Sequence, residues 1–318
     1  MSKLFYDRLR ADFPSQVVID LTEVCNLACV HCPHPDFKKS ELYHATMLDP
    51  ALNQKAVDEV AQHGADYIRY TSNGEPLVHP QCYDMIQYAV DKSGTFVTLT
   101  TNGVTMNQKR MDKLLATGLH MVDISLDAYT IETYAKIRKG TPKQFRQAYD
   151  NVLSLCEASK GKITKVIVSF IVHKENEHEL EQFTRYWRSA GAIVVPRRLH
   201  SAAGFVSVDQ LKNTIPSKRY PCLYPWERIT LAPDGELHFC PQDWVHGSKI
   251  ADYRDTTIYE TWNSDFYKKL RQAHETNDFS CHKFCGKCPD WQQTRWPEGA
   301  PEGLAVGRSY ANLVKELK

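Results

Sequence analysis

The sequence predicts an α/β fold, in which a partial (β/α)6 TIM-like barrel is followed by a small C-terminal domain that is rich in cysteine. Six short apolar runs alternate with helical patterns at regular spacing, which is typical of a parallel sheet. Distinctive polar motifs come directly after several of these runs, at the sheet edge that carries the active site in α/β barrels. Five of the ten cysteines lie beyond residue 216, where the alternation has stopped.

The predicted strands follow one another through the first two thirds of the chain. Each is a short run rich in β-branched and aromatic residues, which is the usual composition of buried strands. The six strands are expected at residues 17–21, 67–71, 96–101, 121–126, 165–172 and 193–199. Arg197 and Arg198 close the last strand, and by strand alternation we expect one of the two to point outward.

The helix after the first strand has clear start and stop signals. Asp49 suits the N-cap, Pro50 the first helical position and Gly64 the C-terminal stop. Asn176 and Glu179 resemble a capping box that opens the helix before the last strand. The other helices between strands are expected over residues 80–92, up to 117 and over 142–159.

Bulk composition excludes several classes of protein. The chain has 318 residues, 42% of them hydrophobic and 24% charged, and its net charge of +1 gives no electrostatic argument for nucleic acid or an anionic membrane as a partner. The start of the chain is charged and lacks an apolar core, so it does not resemble a signal peptide, and no apolar stretch approaches the length of a membrane span. Ten cysteines in such a chain predict thiols in a reducing cytoplasm.

Three cysteines near the start carry most of the functional information. Cys25, Cys29 and Cys32 have the spacing C-x3-C-x2-C, with no fourth cysteine nearby. Three thiolates hold three corners of a four-iron cluster and leave the fourth iron open to a small molecule, whereas a ferredoxin binds all of its iron through cysteine. Zinc ligands come more often as two separate pairs, so a zinc site is the weaker alternative.

This triplet resembles the signature of the radical S-adenosylmethionine (SAM) superfamily. The resemblance implies that the open iron binds the amino and carboxylate groups of SAM. One electron then cleaves SAM to methionine and a 5'-deoxyadenosyl radical, which abstracts a hydrogen atom from the substrate. The resemblance also implies a first domain, residues 1–215, that forms the partial barrel, and an electron donor such as flavodoxin or ferredoxin.

Other motifs match segments that surround SAM in this family. Asn73-Gly74-Glu75-Pro76 follows the second strand and resembles the Gly-Gly-Glu-Pro motif that binds the amino group of SAM, with Asn73 in place of the first glycine. Such a site needs close backbone approach at Gly74 and acceptors, such as Glu75, for an ammonium group. The resemblance also implies that His31, Asn102, Ser125 and Arg138 lie near SAM, the arginine pairing with its carboxylate.

The C-terminal third carries a second set of cysteines. A hairpin is expected over residues 226–240, with its turn at Pro233-Asp234-Gly235. Cys222 precedes the hairpin, Cys240 ends it, and a distal C-x2-C pair follows. This segment resembles the auxiliary-cluster domains named SPASM and, in the shortened form, twitch, as found in dehydrogenases of aminocyclitols such as 2-deoxy-scyllo-inosamine.

The resemblance implies one auxiliary [4Fe–4S] cluster, and hence two [4Fe–4S] clusters in the protein. A full SPASM domain has seven cysteines and two extra clusters, and the five here are too few. The expected ligands are Cys222, Cys240, Cys285 and Cys288, and a structural zinc ribbon is the alternative that the sequence leaves open. We expect this domain at residues 216–295, with Asp243 and Trp244 beside the cluster, and a tail at 296–318 that is a loop followed by a short helix.

The function that these residues favour is a radical SAM oxidoreductase, which oxidises an alcohol of a sugar- or aminocyclitol-like small molecule by two electrons. Only 24 residues precede Cys25, too few for a separate peptide-binding domain, so a small molecule is favoured over a peptide. One alternative is an epimerase of a sugar or peptide in which Cys281 is the catalytic hydrogen donor. Cys281 also suits cluster ligation in place of Cys285, or packing. A non-catalytic iron–sulfur or zinc protein is the alternative from another class.

Overall fold

The computed structural model describes residues 12–71, 73–206, 219–294 and 310–318. Nine strands in these ranges form one continuous sheet, in the order β6-β5-β4-β3-β2-β1-β7-β8-β9. The strands are β1 Gln16–Ile19, β2 Tyr67–Tyr70, β3 Phe96–Thr101, β4 Met121–Ser125, β5 Lys165–Val172, β6 Ile193–Arg198, β7 Arg228–Leu231, β8 Glu236–His238 and β9 Lys249–Asp252.

The first six strands are parallel, and helices connect them. The helices in this part are α1 His34–Phe37, α2 Pro50–His63, α3 Cys82–Lys92, α4 Gln108–Ala116, α5 Ile131–Ile137, α6 Pro142–Ala158 and α7 Leu180–Ser189. No helix within the described residues is long and apolar enough to cross a membrane. The arrangement confirms the predicted barrel of six β/α units and the positions of its strands.

The strand β7 continues the barrel sheet instead of starting a separate one. It runs parallel to β1, with Ile229 opposite Val17, and β8 returns antiparallel to it. Gly235 in the connecting turn has a φ of 88°, a backbone conformation that glycine adopts without strain. The predicted hairpin is therefore confirmed, and the cysteine-rich segment extends the barrel sheet. The boundary expected between residues 215 and 216 lies outside the described residues.

Between residues 219 and 294, the structure has four further α-helices. They are α8 Tyr224–Glu227, α9 Ile258–Asn263, α10 Asp265–Thr276 and α11 Lys283–Lys287. The sequence analysis did not predict α9 and α10, although local signals exist. Thr257 and Glu260 form a capping box for α9, and the Ser264 side chain caps α10.

Alternation along the strands separates a packed core from a polar interior. Because adjacent residues of a strand point to opposite faces, every second position meets the surrounding helices. Val17, Ile19 and Ile68 have no exposed surface and belong to the main hydrophobic core. Asp20 and Arg69, on the other face of β1 and β2, line a cavity inside the barrel. The interior of this barrel therefore provides polar groups.

A C-terminal helix packs against the starts of the barrel strands. This helix, α12 Tyr310–Leu317, buries Leu313 and Val314 against Tyr67, Phe96 and Met121, which are the first residues of β2, β3 and β4. It confirms the short helix expected in the tail and lies at the barrel end opposite the polar motifs. The loop expected at 296–303 lies outside the described residues.

Two predictions of helix signals had different outcomes. Asp49 caps α2, its carboxylate accepting a backbone N–H at 2.9 Å, as predicted. The capping box at Asn176 and Glu179 is wrong, because neither side chain caps the helix. Asn176 Nδ2 donates to Asp127 O at 2.8 Å, and the Glu179 carboxylate accepts from the Tyr129 N–H at 2.6 Å. These buried backbone groups at a strand end need partners, and both side chains supply them.

Candidate active site

The three N-terminal cysteines lie in the loop that follows β1. Cys29 is buried, and Cys25 and Cys32 are half-buried. Burial raises the pKa of Cys25 to about 11 and that of Cys32 to about 12, and repulsion from the neighbouring cysteines adds to each shift. Thiolates at this position therefore need a nearby cation, which iron supplies. The donor set fits three corners of a four-iron cluster.

Three other segments hold the cysteine loop in place. The Val30 N–H donates to Ile137 O at 2.9 Å, and Gln144 Nε2 donates to Asn26 O at 3.3 Å. Asn102 Nδ2 donates to the Asn26 side-chain oxygen at 2.7 Å. Asn102, which the sequence placed near SAM, therefore lies against the loop and anchors it.

The loop after β2 packs directly on the cysteine loop. The Gly74 N–H donates to Thr22 O at 2.9 Å, and the Glu75 N–H donates to Val24 O at 2.8 Å. A Cβ added at Gly74 would lie 2.3 Å from the Val24 carbonyl oxygen. Glycine is therefore required for this close approach of two backbones.

The Glu75 carboxylate is buried and held by three donors. Its Oε1 accepts from the Leu77 N–H at 3.2 Å and from the Thr101 hydroxyl at 2.5 Å, and its Oε2 accepts from the Asn102 N–H at 2.7 Å. Burial raises the pKa of Glu75, and these hydrogen bonds oppose the rise. A carboxylate offers about four acceptor positions, so one is left for a ligand ammonium group.

Arg138 is buried beside the cysteine loop and paired with Asp127. Its Nη1 donates to Asp127 Oδ2 at 2.9 Å, and its Nε is buried with no hydrogen-bond partner among the described residues. Asp127 has a φ of 60°, and its Oδ1 accepts from the Ile171 N–H at 2.7 Å. Sequence reasoning did not single out Asp127 as a site residue, although its place directly after Ser125-Leu126 at a strand end was a signal.

His31 completes the group of side chains around the cysteine loop. Its ring centroid lies 5.0 Å from that of His173, and its Nε2 lies 3.7 Å from Asp127 Oδ2. Burial lowers the pKa of His31 well below its usual value, and the charge of Arg138 lowers it further, so the ring is neutral. The structure thus brings His31, Glu75, Asn102 and Arg138 together around the cysteines.

Two residues connect the C-terminal segment to this loop. The Trp244 ring centroid lies 5.5 Å from that of Phe37, in an apolar cluster that contacts Cys32. The sequence placed Asp243 and Trp244 beside the auxiliary cysteines, and both line a small cavity together with Cys240. Asn73 Nδ2 donates to Asp243 O at 3.4 Å, and the asparagine that replaces the first glycine therefore joins the barrel to the C-terminal segment.

The interior of the barrel contains a cavity of about 670 Å³. Arg197 reaches inward and pairs with Asp123, whereas Arg198 is exposed, although both line the cavity. Glu227 pairs with Arg228 in the same wall. Sequence reasoning missed Asp123, Glu227 and Arg228. The signal for Asp123 was a charged residue inside an otherwise apolar strand.

A second, smaller cavity is lined by the four cysteines that were predicted to bind the auxiliary cluster. These are Cys222, Cys240, Cys285 and Cys288. Burial raises the pKa of Cys285 to about 12 and that of Cys288 to about 11. Cys281 is exposed and lines neither of the two cavities, so the structure brings four thiols together and leaves the fifth apart.

The four-thiol cavity fits an iron–sulfur cluster. The cysteines of a [4Fe–4S] cluster bind different irons, so they surround a larger space than the ligands of one ion do. Four thiols around one shared cavity match that larger group.

The two cavities share part of their walls. Tyr224, Gln242 and Asp290 line both of them. The larger cavity is also lined by Asn73 and Ser125, which belong to the segments predicted to surround SAM. The barrel cavity therefore lies between the cysteine loop and the four-thiol cavity.

Comparison with known proteins agrees with this geometry. The profile of the radical SAM superfamily matches residues 19–186, which is more than half of the chain. The profile of SPASM, an iron–sulfur cluster-binding domain, matches residues 222–289. The two matched ranges contain the cysteine loop and the four-thiol cavity, respectively.

Curated relatives carry out several different reactions. The AdoMet-dependent heme synthase of Methanosarcina barkeri is 29% identical over 57% of this chain and 49% of its own length. The mycofactocin maturase MftC of Mycobacterium ulcerans is 28% identical over 72% of this chain and 60% of its own length. The chain therefore spans about half to three fifths of the length of these relatives.

Solved structures of similar fold include BtrN in complex with AdoMet and 2-DOIA, with a TM-score of 0.59, 16% identity and coverage of 86% of this chain and 92% of that one. Streptococcus suis SuiB bound to the precursor peptide SuiA has a TM-score of 0.68 at 13% identity, covering 98% of this chain and 75% of that one. These likenesses show the fold, and the two profile matches show that the chain belongs to the radical SAM superfamily, carries a SPASM domain, and uses SAM and iron–sulfur clusters as cofactors.

Proposed function

We propose that the protein oxidises an alcohol of a polar small molecule, such as a sugar or aminocyclitol, by two electrons. The observation that carries this proposal is the position of the 670 Å³ barrel cavity, whose wall includes residues of the SAM-binding segments and residues of the four-thiol cavity. A substrate in that cavity lies within reach of both cofactor sites.

The cofactor-binding roles follow from the contacts around the cysteine loop. Cys25, Cys29 and Cys32 would hold the first cluster, Glu75 would accept from the amino group of SAM, and the unpaired Nε–H of Arg138 would donate to the SAM carboxylate. Ser125, Asn102 and His31 complete the SAM site. When bound, these cofactors supply a 5'-deoxyadenosyl radical after reduction by a donor such as flavodoxin or ferredoxin.

The polar cavity wall selects and orients a hydroxylated substrate. The Arg197–Asp123 and Arg228–Glu227 pairs present fixed donors and acceptors, and each charge is balanced by its partner. Such a wall favours a molecule with several hydroxyl groups over an apolar one, because hydroxyl groups can form hydrogen bonds with the charged side chains and apolar surface cannot.

Two-electron oxidation of the alcohol has three components. The carbinol carbon gives up a hydrogen atom, the hydroxyl gives up a proton to a carboxylate of the cavity wall, and one electron leaves the substrate. The C–O bond thereby becomes a carbonyl. Cys222, Cys240, Cys285 and Cys288, which line the four-thiol cavity beside Asp290, would hold a cluster that could accept this electron.

Product analysis tests the reaction. The reconstituted enzyme is incubated with SAM, dithionite and a panel of aminocyclitols and sugars, and we expect a product two hydrogens lighter than its substrate, formed with one 5'-deoxyadenosine. Epimerisation would instead give a product with the same formula as the substrate, in which one hydrogen is replaced by deuterium when the reaction is run in deuterated water. The exposed position of Cys281, away from the cavity, argues against that alternative.

Modification of a peptide is the second candidate. The similarity to a mycofactocin maturase, and to the fold of SuiB bound to its precursor peptide, favours it. A peptide panel in the same assay separates the two, because a peptide product and no reaction with polyols would replace the small-molecule proposal.

A further inference from the structure

His274 on α10 contributes its side chain to the wall of the four-thiol cavity. The residue is 3% exposed, and its ring packs edge-on against Phe279 at a centroid distance of 4.9 Å and against Trp226 at 6.2 Å. These contacts fix the orientation of the imidazole. Neither the cysteine motif nor the matched domains assign a role to this histidine.

One hydrogen bond determines which ring nitrogen of His274 carries the proton. The Cys222 N–H donates to His274 Nδ1 at 3.2 Å, so Nδ1 is the acceptor and a neutral ring carries its hydrogen on Nε2. His274 Nε2 is buried and has no hydrogen-bond partner within the described residues. A buried N–H donor without an acceptor is costly, and such groups in native proteins usually meet a partner.

We propose that the His274 Nε2–H donates a hydrogen bond to a sulfur atom of the auxiliary cluster and thereby raises the reduction potential of that cluster. Reduction adds negative charge that the sulfur atoms share, so a donor N–H stabilises the reduced form more than the oxidised form. His274 is then a positioning residue for electron transfer and not a ligand.

This inference deepens the proposed function, on which it rests for one point: the four-thiol cavity holds the electron acceptor. A higher potential favours transfer of the substrate electron to that acceptor. Arg219 lines the same cavity, and its Nε is also buried without a hydrogen-bond partner among the described residues. Its Nη1 and Nη2 donate to the carbonyl oxygens of Gly286 at 3.0 Å and Cys285 at 2.6 Å. Arg219 thus holds the C-x2-C loop, and His274 is the buried neutral donor.

The test measures the potential of the auxiliary cluster alone. The background is the full chain with the three N-terminal cysteines changed to alanine, so that one cluster is titrated by EPR. We expect His274→Phe to lower the ratio of reduced to oxidised cluster about tenfold at a fixed ambient potential, which is a downward shift of about 59 mV for a one-electron couple. His274→Gln, which restores a side-chain N–H, should recover part of the shift.

His282→Phe is the matched control. Its Nε2 is also buried without a hydrogen-bond partner among the described residues, yet His282 does not line the cavity, so the potential should stay at the background value. An unchanged potential in His274→Phe with full iron and sulfide content would overturn the proposal. If that variant loses its cluster, the background protein is labelled with ¹⁵N-histidine and studied by pulsed EPR. Coupling of one ring nitrogen to the reduced cluster would support the hydrogen bond, and the absence of such coupling would refute it. Neither readout depends on turnover, so failure here leaves the proposed reaction untouched.

Discussion

Replacement of Glu75 by glutamine separates its role in binding SAM from its role in the fold. Glutamine keeps one side-chain oxygen for the surrounding donors but removes the negative charge that faces the ammonium group. A hydrogen bond to a charged group contributes about 1.5–3 kcal/mol, so we expect Glu75→Gln to weaken SAM binding roughly ten- to hundredfold. Cluster content should stay at the wild-type level, because Glu75 is not an iron ligand.

Glu75→Ala should have a larger effect, and for a different reason. It leaves the N–H groups of Leu77 and Asn102 without their acceptor at a buried site. Each unsatisfied buried donor costs about 1–3 kcal/mol, or about 2–6 kcal/mol for the two, against a typical total stability of about 5–15 kcal/mol. Loss of SAM binding in this variant would therefore report unfolding of the loop as much as loss of a contact.

The assay is calorimetric titration of SAM into anaerobically reconstituted protein, with iron and sulfide analysis and a thermal unfolding curve for each variant. Thr101→Val is the matched control, because it removes one donor to Glu75 and leaves the charge in place. We expect this control to lower the melting temperature but to keep most of the SAM affinity. Wild-type SAM affinity in Glu75→Gln would refute a contact between Glu75 and SAM, and would limit the role of Glu75 to holding the neighbouring backbone in place.

Three further predictions address the clusters and the SAM loop. Alanine at all three N-terminal cysteines should remove about one four-iron cluster and abolish 5'-deoxyadenosine formation, while the auxiliary cluster stays visible by EPR; continued SAM cleavage would contradict the assignment. Of Cys281 and Cys285, only Cys285 lines the four-thiol cavity, so Cys285→Ala should lose the auxiliary cluster, whereas Cys281→Ala should keep both clusters and nearly full product formation. The reverse pattern in iron analysis would show that Cys281 is the ligand. Gly74→Ala should displace the loop after β2 from the cysteine loop, because the added Cβ would lie 2.3 Å from Val24 O. SAM titration should then show at least about tenfold weaker binding with normal iron content. Unchanged affinity would mean that the loop after β2 can shift without affecting the SAM site.

Local patterns were sufficient to predict the barrel and the cysteine sites. The strand positions follow from short apolar runs, and the hairpin follows from the Pro233-Asp234-Gly235 turn, because these signals act over a few residues. The capping box at Asn176 and Glu179 failed, because tertiary contacts recruited both side chains to the end of a neighbouring strand. Helices α9 and α10 carry caps that a closer inspection of the local sequence would detect.

One charged pair of the cavity wall joins residues that are far apart in the sequence. Asp123 and Arg197 are 74 positions apart, yet their side chains are in contact. No local rule predicts such contacts, since they arise from the register of parallel strands. The pair of Arg138 and Asp127 was likewise not predicted, and it forms where the backbone at a strand end takes a positive φ.

The sequence by itself indicated the superfamily, the cofactors and the thiols that suit them. Cysteine spacing within a loop is a local property, and it does not depend on how the other segments of the chain pack. Only the tertiary structure decided that β7 joins the barrel sheet beside β1 and that Cys281 stays outside. It also decided that the barrel cavity and the four-thiol cavity share a wall, and that His274, whose buried Nε2 has no hydrogen-bond partner among the described residues, lines the four-thiol cavity. These features depend on how segments that are far apart in the chain pack together, and burial and hydrogen bonding across the whole fold, not local propensity, determine that packing.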